Sequence, residues 1–431
     1  VDSEVDKYIY VDRVDPFIVA ILPYCMMNSF DIKVDDKTGI SSDLYFQLKE
    51  FLIPTMSMAK KFSKIDLKAI PIWEELSHGE EIATGVSRGV DSFYTILKTM
   101  EGTYKPTLLT LFNVQAYGEY GGTVANEMFV RDLKIAKDLC NELNDLYKTN
   151  IKVLTVNSNI QEELPIKIYD AGSWRDAAAI ILLKQLIKLY FFSTTITLED
   201  FTVNGSCREF EPWLFSCLST EKNRIQPVGA EKKRIDKIRF ISNYPITKKY
   251  LKVCRKPLLC GTDGKSFEKD TNCTFLCEKC RATVMELMAI NKLNDYNSVF
   301  DTEWVWEHKK ELLYEVIAHQ NQRGELGFTD IYKLMRENGT IDDFIEIEAG
   351  LSCEIMDDAP LDTDYRILEL MNMFFSKKQD GLILKDFLKN SGYEKIGVYG
   401  MGRLGKILYH ELGEIIKVEI DRNSKMKYGD I

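Results

Sequence analysis

The sequence predicts an α/β protein that is built around a parallel β-sheet. From residue 76 onward, short apolar runs that suit buried strands alternate with longer segments of helical spacing. Strands separated by helices of this length pair in parallel through right-handed crossovers. The chain has 431 residues, which at roughly 150 residues per domain predicts about two to four domains.

The residues ahead of this sheet predict a small α/β region over residues 1–75. Residues 7–35 contain short apolar runs with polar breaks between them, which predict strands. Residues 42–60 have helical spacing, in which Pro54 forces a kink or a boundary. Residues 64–72 predict another strand. No motif in this region indicates a function.

The predicted central domain spans residues 76–300. Strands and helices alternate in it, over residues 82–86, 92–100, 106–114, 124–143, 151–159 and 174–192. Within the last of these segments, residues 177–192 form the densest apolar stretch of the chain. This stretch is broken by Lys184, Gln185 and Lys188 and is shorter than the roughly 18 apolar residues of a membrane span. It therefore predicts a buried helix.

A polar turn joins the first predicted strand of the central domain to its first helix. Its residues are Ser87, Arg88, Gly89, Val90, Asp91 and Ser92. A helix start has unpaired N–H groups and positive partial charge, so it is suited to bind an anion. Gly89 allows close backbone approach, and Ser87 and Ser92 add hydroxyl donors. Asp91 can cap the helix or face a phosphate-bound Mg²⁺.

This turn resembles the pyrophosphate loop, S-G-G-x-D-S, of the N-type ATP pyrophosphatases. No G-K-[ST] follows it, so it is not the phosphate loop of the common nucleotide triphosphatases. The family splits ATP between the α and β phosphates and leaves AMP on the substrate. Arg88 departs from the family pattern, because it stands where the first loop glycine would be. Arg88 could bind a phosphate or block the loop, and a turn without any ligand is the remaining alternative.

Further candidates for the same site come from the strand ends, because ligands of parallel sheets bind at the carboxyl ends of the strands. The second strand ends near Phe112, which is expected to border the adenine unless it belongs only to the core. Arg234 and Lys237 could contact a triphosphate or a substrate carboxylate. Residues of this kind in a charged run are more often solvated surface.

A cysteine cluster follows the predicted sheet. Cys273-x3-Cys277-x2-Cys280 is preceded by Cys260 and Cys254. Closely spaced cysteines with a more distant fourth suit tetrahedral Zn²⁺ bound by thiolates. Either Cys254 or Cys260 could be the first ligand. Free buried thiols, a redox centre and an iron–sulfur cluster are the alternatives.

A pyrophosphate loop followed by a four-cysteine knuckle resembles 7-cyano-7-deazaguanine synthase and its relatives, over about residues 80–300. The resemblance implies a PP-loop domain (adenine nucleotide alpha hydrolase-like) that binds ATP, Mg²⁺ and Zn²⁺. It implies that Cys254 is the first zinc ligand and that Cys273, Cys277 and Cys280 follow. The extra residue after Cys273 departs from the usual C-x2-C-x2-C. The knuckle is similar to that of a bacterial subgroup often found near surface-polysaccharide genes, which suggests a role in surface-polysaccharide or modified-metabolite biosynthesis.

Two further segments follow the knuckle. Residues 301–392 have helical spacing and predict a helical module, with a loop at 357–364. Residues 393–431 predict a partial Rossmann-like β-α-β unit. In it a strand is followed by a dinucleotide fingerprint and a helix, and Asp421 ends a second strand. The fingerprint glycines are Gly400, Gly402 and Gly405.

These features predict an ATP-dependent adenylating enzyme. A carboxylate or amide oxygen would attack the α-phosphorus, pyrophosphate would leave, and ammonia, an amine or a sulfur nucleophile would displace AMP. The turn would bind the pyrophosphate, with Asp91, Arg234 and Lys237 as the catalytic residues. One alternative is a non-catalytic nucleotide-binding or scaffold protein whose loop is disabled by Arg88. Another is an enzyme that binds NAD or a nucleotide-sugar at the C-terminal glycines.

Composition restricts the partners and the compartment. The net charge of −10 and a pI near 5.2 argue against a general nucleic-acid-binding surface. The ten cysteines suit reduced thiols and a metal site better than a disulfide framework. The first residues lack the basic and apolar parts of a signal peptide. We therefore expect a cytoplasmic protein without a membrane partner that binds ATP and a small-molecule acceptor, with a homodimer as one open assembly.

Overall fold

The computed structural model describes most of the chain up to residue 341 and short pieces beyond it. The described residues are 3–9, 13–73, 79–114, 117, 120–220, 222–254, 271–273, 277–320, 327–341, 388, 396–399, 412 and 416–420. The chain divides into two compact units, Val1–Phe344 and Ile345–Ile431.

The N-terminal region begins with a helix and not with the predicted strands. A short 3-10 helix, Ser3–Tyr8, precedes α1, Asp15–Asn28. The strand prediction for residues 7–35 is wrong except at β1, Ile32–Lys33. The physical reason is that Pro16 favours a helix start, and that the apolar side chains after it are buried at intervals of three or four residues.

The helix predicted over residues 42–60 is present and irregular. It consists of α2 (Ser42–Phe46), a π-helical segment (Gln47–Leu52) and α3 (Ile53–Met56). The Ile53 N–H donates to the carbonyl of Leu48, five residues earlier, as in a π-helix. The next residue, Pro54, has no N–H to donate. Three short strands complete the region: β2 (Gly39–Ser41), β3 (Leu67–Lys68) and β4 (Ile70–Ile72). They form the parallel pairs β1–β3 and β2–β4.

The centre of the first unit is a parallel sheet, as predicted, and it has five strands, of which the sequence predicted the first three. Its strands are β5 (Glu81–Gly85), β6 (Leu108–Asn113), β7 (Lys152–Asn157), β8 (Ile187–Ser193) and β9 (Arg224–Val228). They lie in the order β7-β6-β5-β8-β9. From β5 the chain forms β6 and β7 on one side, and it then crosses back to form β8 and β9 on the other side. The topological switch point, where such sheets bind ligands, is therefore between β5 and β8.

Of the connecting helices, those that begin at Val90 and Thr123 confirm the predictions for residues 92–100 and 124–143, and most of the others were not predicted. The connecting helices are α4 (Val90–Met100), α5 (Thr123–Tyr147), α6 (Ile160–Glu163), α7 (Ile168–Leu182), α8 (Glu211–Leu218), α9 (Arg234–Ile241) and α10 (Pro245–Tyr250). Right-handed crossovers put α4 and α7 on opposite faces of the sheet. α9 packs on α4, and α1 packs on α7.

The single long helix predicted over residues 174–192 is wrong. α7 ends at Leu182, and β8 begins at Ile187. An apolar run that is buried on all sides does not distinguish a helix from a central parallel strand. The polar break in this run is a turn, in which Lys184 Nζ donates to Asp15 Oδ1 at 2.9 Å and to Ser41 Oγ at 2.6 Å.

Helices follow the cysteines and agree with the predicted helical pattern as far as Glu337; residues 342–387 and 389–392 of the predicted helical module lie outside the described residues. These helices are α11 (Glu278–Ala289), α12 (Thr302–Glu307), α13 (Lys309–Ala318) and α14 (Phe328–Glu337). α11 contacts α9, α13 and α14. The loop predicted at residues 357–364 lies outside the described residues. In the described ranges no helix combines the length and the apolar character that a membrane crossing needs.

In the second unit, two strands pair in parallel. They are β10 (Ile396–Tyr399) and β11 (Ile416–Ile420). The sequence predicted one of these strands before the glycine fingerprint and the other after it. Gly400, Gly402, Gly405 and Asp421 themselves lie outside the described residues.

Candidate functional site

The polar turn at residues 87–92 lies at the carboxyl end of β5, beside the switch point. Gly89 is the N-cap of α4, with extended backbone (φ −76°, ψ 172°), and within the described chain no side chain caps this helix end. Helix geometry leaves the N–H groups of Val90, Asp91 and Ser92 without acceptors in their own helix. Together with the helix dipole, these groups form an anion-binding geometry.

The two serines of the turn have different environments. The buried Ser92 hydroxyl donates to the carbonyl of Gly85 at 2.8 Å and accepts from the Ser87 N–H at 3.1 Å. Ser87 is exposed, and its hydroxyl accepts from the Gly89 N–H at 3.4 Å. The Ser92 hydroxyl therefore stabilises the turn, and its proton is already used in a hydrogen bond. The Ser87 side chain faces solvent.

Gly89 is not required by the backbone of the turn. Its φ is negative, and a Cβ added to it would meet only Ser87 Oγ, at 3.5 Å, which is an ordinary contact. The missing side chain keeps the first turn of α4 open to an approaching ligand.

Arg88 is committed to an ion pair inside the protein. Its φ is +60°, in the left-handed region that glycine adopts more easily, and it is 3% exposed. Its Nη2 donates to Asp132 Oδ1 of α5 at 2.9 Å, and its carbonyl accepts from the Lys252 N–H. Asp132 also accepts from the Tyr117 hydroxyl at 3.1 Å. The Arg88 guanidinium is thus paired at Nη2 and almost wholly buried.

The three residues that the sequence suggested as catalytic lie together at the turn. Lys237 Nζ is 2.9 Å from Asp91 Oδ1, and Arg234 Nη1 is 3.8 Å from Asp91 Oδ2. Lys237 is 1% exposed and also donates to the carbonyl of Thr194 at 2.7 Å. Arg234 and Lys237 form the first turn of α9, which follows β9. The two cations thus reach the end of β5 from across the switch point.

Two strand ends lie against Lys237, at Thr194 and at Gly229. Thr194 follows β8, not a helix as predicted, and its N–H and hydroxyl both donate to the carbonyl of Val228. Gly229 follows β9 with φ +91°, and a Cβ there would be 3.0 Å from Lys237 Cε. Their position directly after apolar strands was the available signal.

Arg234 is held by α11, which the sequence reasoning did not connect with the turn. Its Nε is 3.1 Å from Glu286 Oε1 and 3.2 Å from Oε2, and its Nη2 donates to Thr283 Oγ1 at 3.0 Å. Glu286 and Thr283 are fully buried. Burial raises the pKa of Glu286 to about 7, against the opposing effect of Arg234. A glutamate inside the apolar run V-M-E-L-M was the only sequence signal.

Phe112, predicted beside the adenine, lies near the carboxyl end of β6 and packs on its own sheet. Its ring stacks on Tyr190, with centroids 6.0 Å apart and planes 18° apart. The Tyr190 and Thr110 hydroxyls are 2.7 Å apart. Phe112 therefore shares the sheet edge with the turn, and its contact with a base is still a prediction.

Four of the predicted cysteine ligands come together. The Sγ atoms of Cys254, Cys273, Cys277 and Cys280 all lie within 4.8 Å of one another. The Cys273–Cys280 and Cys277–Cys280 sulfurs are 3.6 and 3.5 Å apart. Thiolates at about 2.3 Å from Zn²⁺ in tetrahedral geometry are about 3.8 Å apart. The four thiols could therefore hold a metal ion such as zinc, whereas Cys260 lies outside the described residues.

Asn272 joins the distant ligand to the other three. Its Oδ1 accepts from the N–H groups of Val253 and Cys254 at 2.9 and 3.1 Å, and its Nδ2 donates to the carbonyls of Leu251 and Val299. Asn272 is 3% exposed. Satisfied buried amides of this kind fix backbone segments relative to each other.

No family model, no curated protein and no solved structure matches this chain. Function is therefore inferred from the residues of the site itself.

Proposed function

We propose that the chain is an ATP-dependent adenylating enzyme of the PP-loop class, with the turn at residues 87–92 as its pyrophosphate site. One observation supports this most strongly. A helix start without a side-chain cap, Asp91 and two cations from another strand end meet beside the switch point. Lysines are almost never fully buried, and one that is 1% exposed and paired with the carboxylate of a strand-end turn supports a functional site there.

The reaction needs positioning and charge stabilisation more than covalent chemistry. An oxygen of the acceptor carboxylate or amide attacks the α-phosphorus in line. The bond from this phosphorus to the oxygen that bridges to the β-phosphorus breaks, and pyrophosphate leaves with the electron pair. Ammonia, an amine or a sulfur nucleophile then attacks the activated carbon, and AMP leaves.

Each part of the turn has a role in the first step. The N–H groups of Val90, Asp91 and Ser92 bind the pyrophosphate oxygens. Lys237 and Arg234 offset the negative charge that develops on the leaving group. Asp91 is the carboxylate that would hold the Mg²⁺ of Mg·ATP, because such ions are bound by one or two carboxylates together with substrate phosphates. Magnesium would supply further charge neutralisation.

The cysteine cluster has a structural role in this proposal. A site closed by four thiolates has no open position for a substrate, which is typical of structural zinc. Cys277 and Cys280 belong to the start of α11, so the ion would fix the helix that carries Glu286.

The proposal predicts Mg²⁺-dependent exchange of pyrophosphate into ATP when the right carboxylic acid is present. A panel of small carboxylic acids is assayed with the full chain, followed by Asp91→Asn with the acid that supports exchange. We expect about a 100-fold loss of exchange in Asp91→Asn, because its carboxylate orients Lys237 and the magnesium. Asp295→Asn is the matched control, since Asp295 pairs with Lys248 at 2.8 Å on the surface.

Two other results would speak against adenylation. ATP-induced thermal stabilisation without exchange for any acid would favour a non-catalytic nucleotide-binding protein, a role that the buried ion pair of Arg88 also suits. If ATP causes no stabilisation and no acid supports exchange, the turn binds no nucleotide.

A further inference from the structure

α11 is connected to two features of the first unit at once. Its first turn carries Cys280, and its middle contacts Arg234 through Thr283 and Glu286. Thr283 and Glu286 are three residues apart and so lie on the same face of the helix. This face points at α9, on which it packs.

The contacts with α11 fix the plane of the Arg234 guanidinium. This group presents its donors in a rigid planar fork, so two bonded corners determine the direction of the third. Nε meets the Glu286 carboxylate and Nη2 meets Thr283 Oγ1. The third corner, Nη1, is thereby placed 3.8 Å from Asp91 Oδ2 at the turn.

The pair of Arg234 and Glu286 is poorly explained by stability alone. The Arg234 side chain is 8% exposed and that of Glu286 is 0% exposed. Buried ion pairs can often be replaced by apolar side chains of similar volume without loss of stability. The raised pKa of Glu286 indicates that the attraction to Arg234 does not offset the whole cost of burying the carboxylate.

We propose that Glu286 is a positioning residue for the pyrophosphate group, which acts by holding the Arg234 guanidinium in line with the turn. This inference rests on the proposed function, because it assigns the anion that Arg234 meets. Thr283 assists through the second corner of the guanidinium. α11 thereby connects the cysteine cluster to the start of α4.

The test measures binding of inorganic pyrophosphate to the full chain by titration calorimetry. Glu286→Gln keeps the size of the side chain and removes the charge that orients Arg234. We expect about tenfold weaker binding, as is typical when a group that orients a ligating residue is lost. Thr283→Val, which has the same shape, removes only the Oγ1 contact and should weaken binding by a smaller factor. Thr283→Val carries the test alone if Glu286→Gln does not fold.

The matched control is Glu315→Gln. Glu315 of α13 pairs with Arg281 of α11 at 3.1 Å, and burial raises its pKa as well. It therefore stabilises the same helix without contacting Arg234. We expect pyrophosphate affinity within about twofold of the unaltered chain in this variant.

A double-variant cycle separates positioning from general stability. If Glu286 acts through Arg234, Glu286→Gln adds nothing to the loss caused by Arg234→Gln. An unaltered chain that binds no pyrophosphate would overturn the proposed function and this inference together. Pyrophosphate binding that is unaffected by Glu286→Gln and Thr283→Val, or weakened equally by Glu315→Gln, would overturn the inference alone.

Discussion

Replacement of Gly89 by aspartate is expected to abolish ATP binding while the melting temperature stays the same or rises. Gly89 has backbone angles that every residue can adopt, and the space around its Cβ position is open. Aspartate is a preferred N-cap and stabilises a helix by about a few tenths of a kcal/mol relative to glycine. The substitution therefore should not disturb the fold.

The same carboxylate would occupy the place of the phosphate. It would accept from the first-turn N–H groups of α4 and repel the anion, with an expected loss of affinity of about 100-fold or more. Gly89→Asn is the matched control, because it adds the same bulk without charge. The measurement is calorimetric titration with Mg·ATP beside thermal unfolding. Unchanged ATP affinity in Gly89→Asp would mean that the phosphates bind elsewhere.

Removal of one cluster thiol should have the largest effect on stability. We expect the purified chain to contain about one zinc ion, and Cys280→Ser to contain almost none, because a four-thiolate site binds poorly with a hydroxyl ligand. Cys280 is fully buried at the start of α11. Its loss should lower the melting temperature by about 10 °C, as several kcal/mol do in a chain of this size.

The control for this prediction is Cys140→Ser. Cys140 is 3% exposed and lies far from the cluster in sequence, and its thiol donates to the carbonyl of Ile151, as a serine hydroxyl can. Metal content is measured by elemental analysis after extensive dialysis. A chain that contains no metal, or a Cys280→Ser variant that retains the full amount, would refute the metal site.

Sequence reasoning predicted those parts of the fold that local chemistry determines. The strands before and after α4 are short buried runs that end at polar turns, and the sheet is parallel as expected. The errors at residues 7–35 and 174–192 have one cause. Each segment contains a long, mostly apolar run, residues 17–27 in the first and 177–192 in the second, and the periodicity of such a run does not distinguish a strand from a helix.

The candidate site was predictable only where a motif or a strand end marks it. Asp91 belongs to a recognisable turn. Lys237 lies 146 residues away in a charged run, and only the fold brings it into contact with Asp91. Glu286 could not be assigned, because a lone glutamate in an apolar helix does not identify its partner. The sequence left Cys254 and Cys260 as alternatives for the fourth ligand; the Cys254 sulfur lies within 4.8 Å of the other three, and Cys260 lies outside the described residues.

Hydrogen–deuterium exchange with and without Mg·ATP tests the central claim most directly, since it locates the nucleotide on the chain. The first-turn amides of α4 have no acceptor in their own helix and should exchange fast until phosphates bind them. We predict slower exchange in peptides that cover residues 87–93 and 229–237. Exchange that is unchanged in both, or slowed only around residues 396–420, would contradict the account.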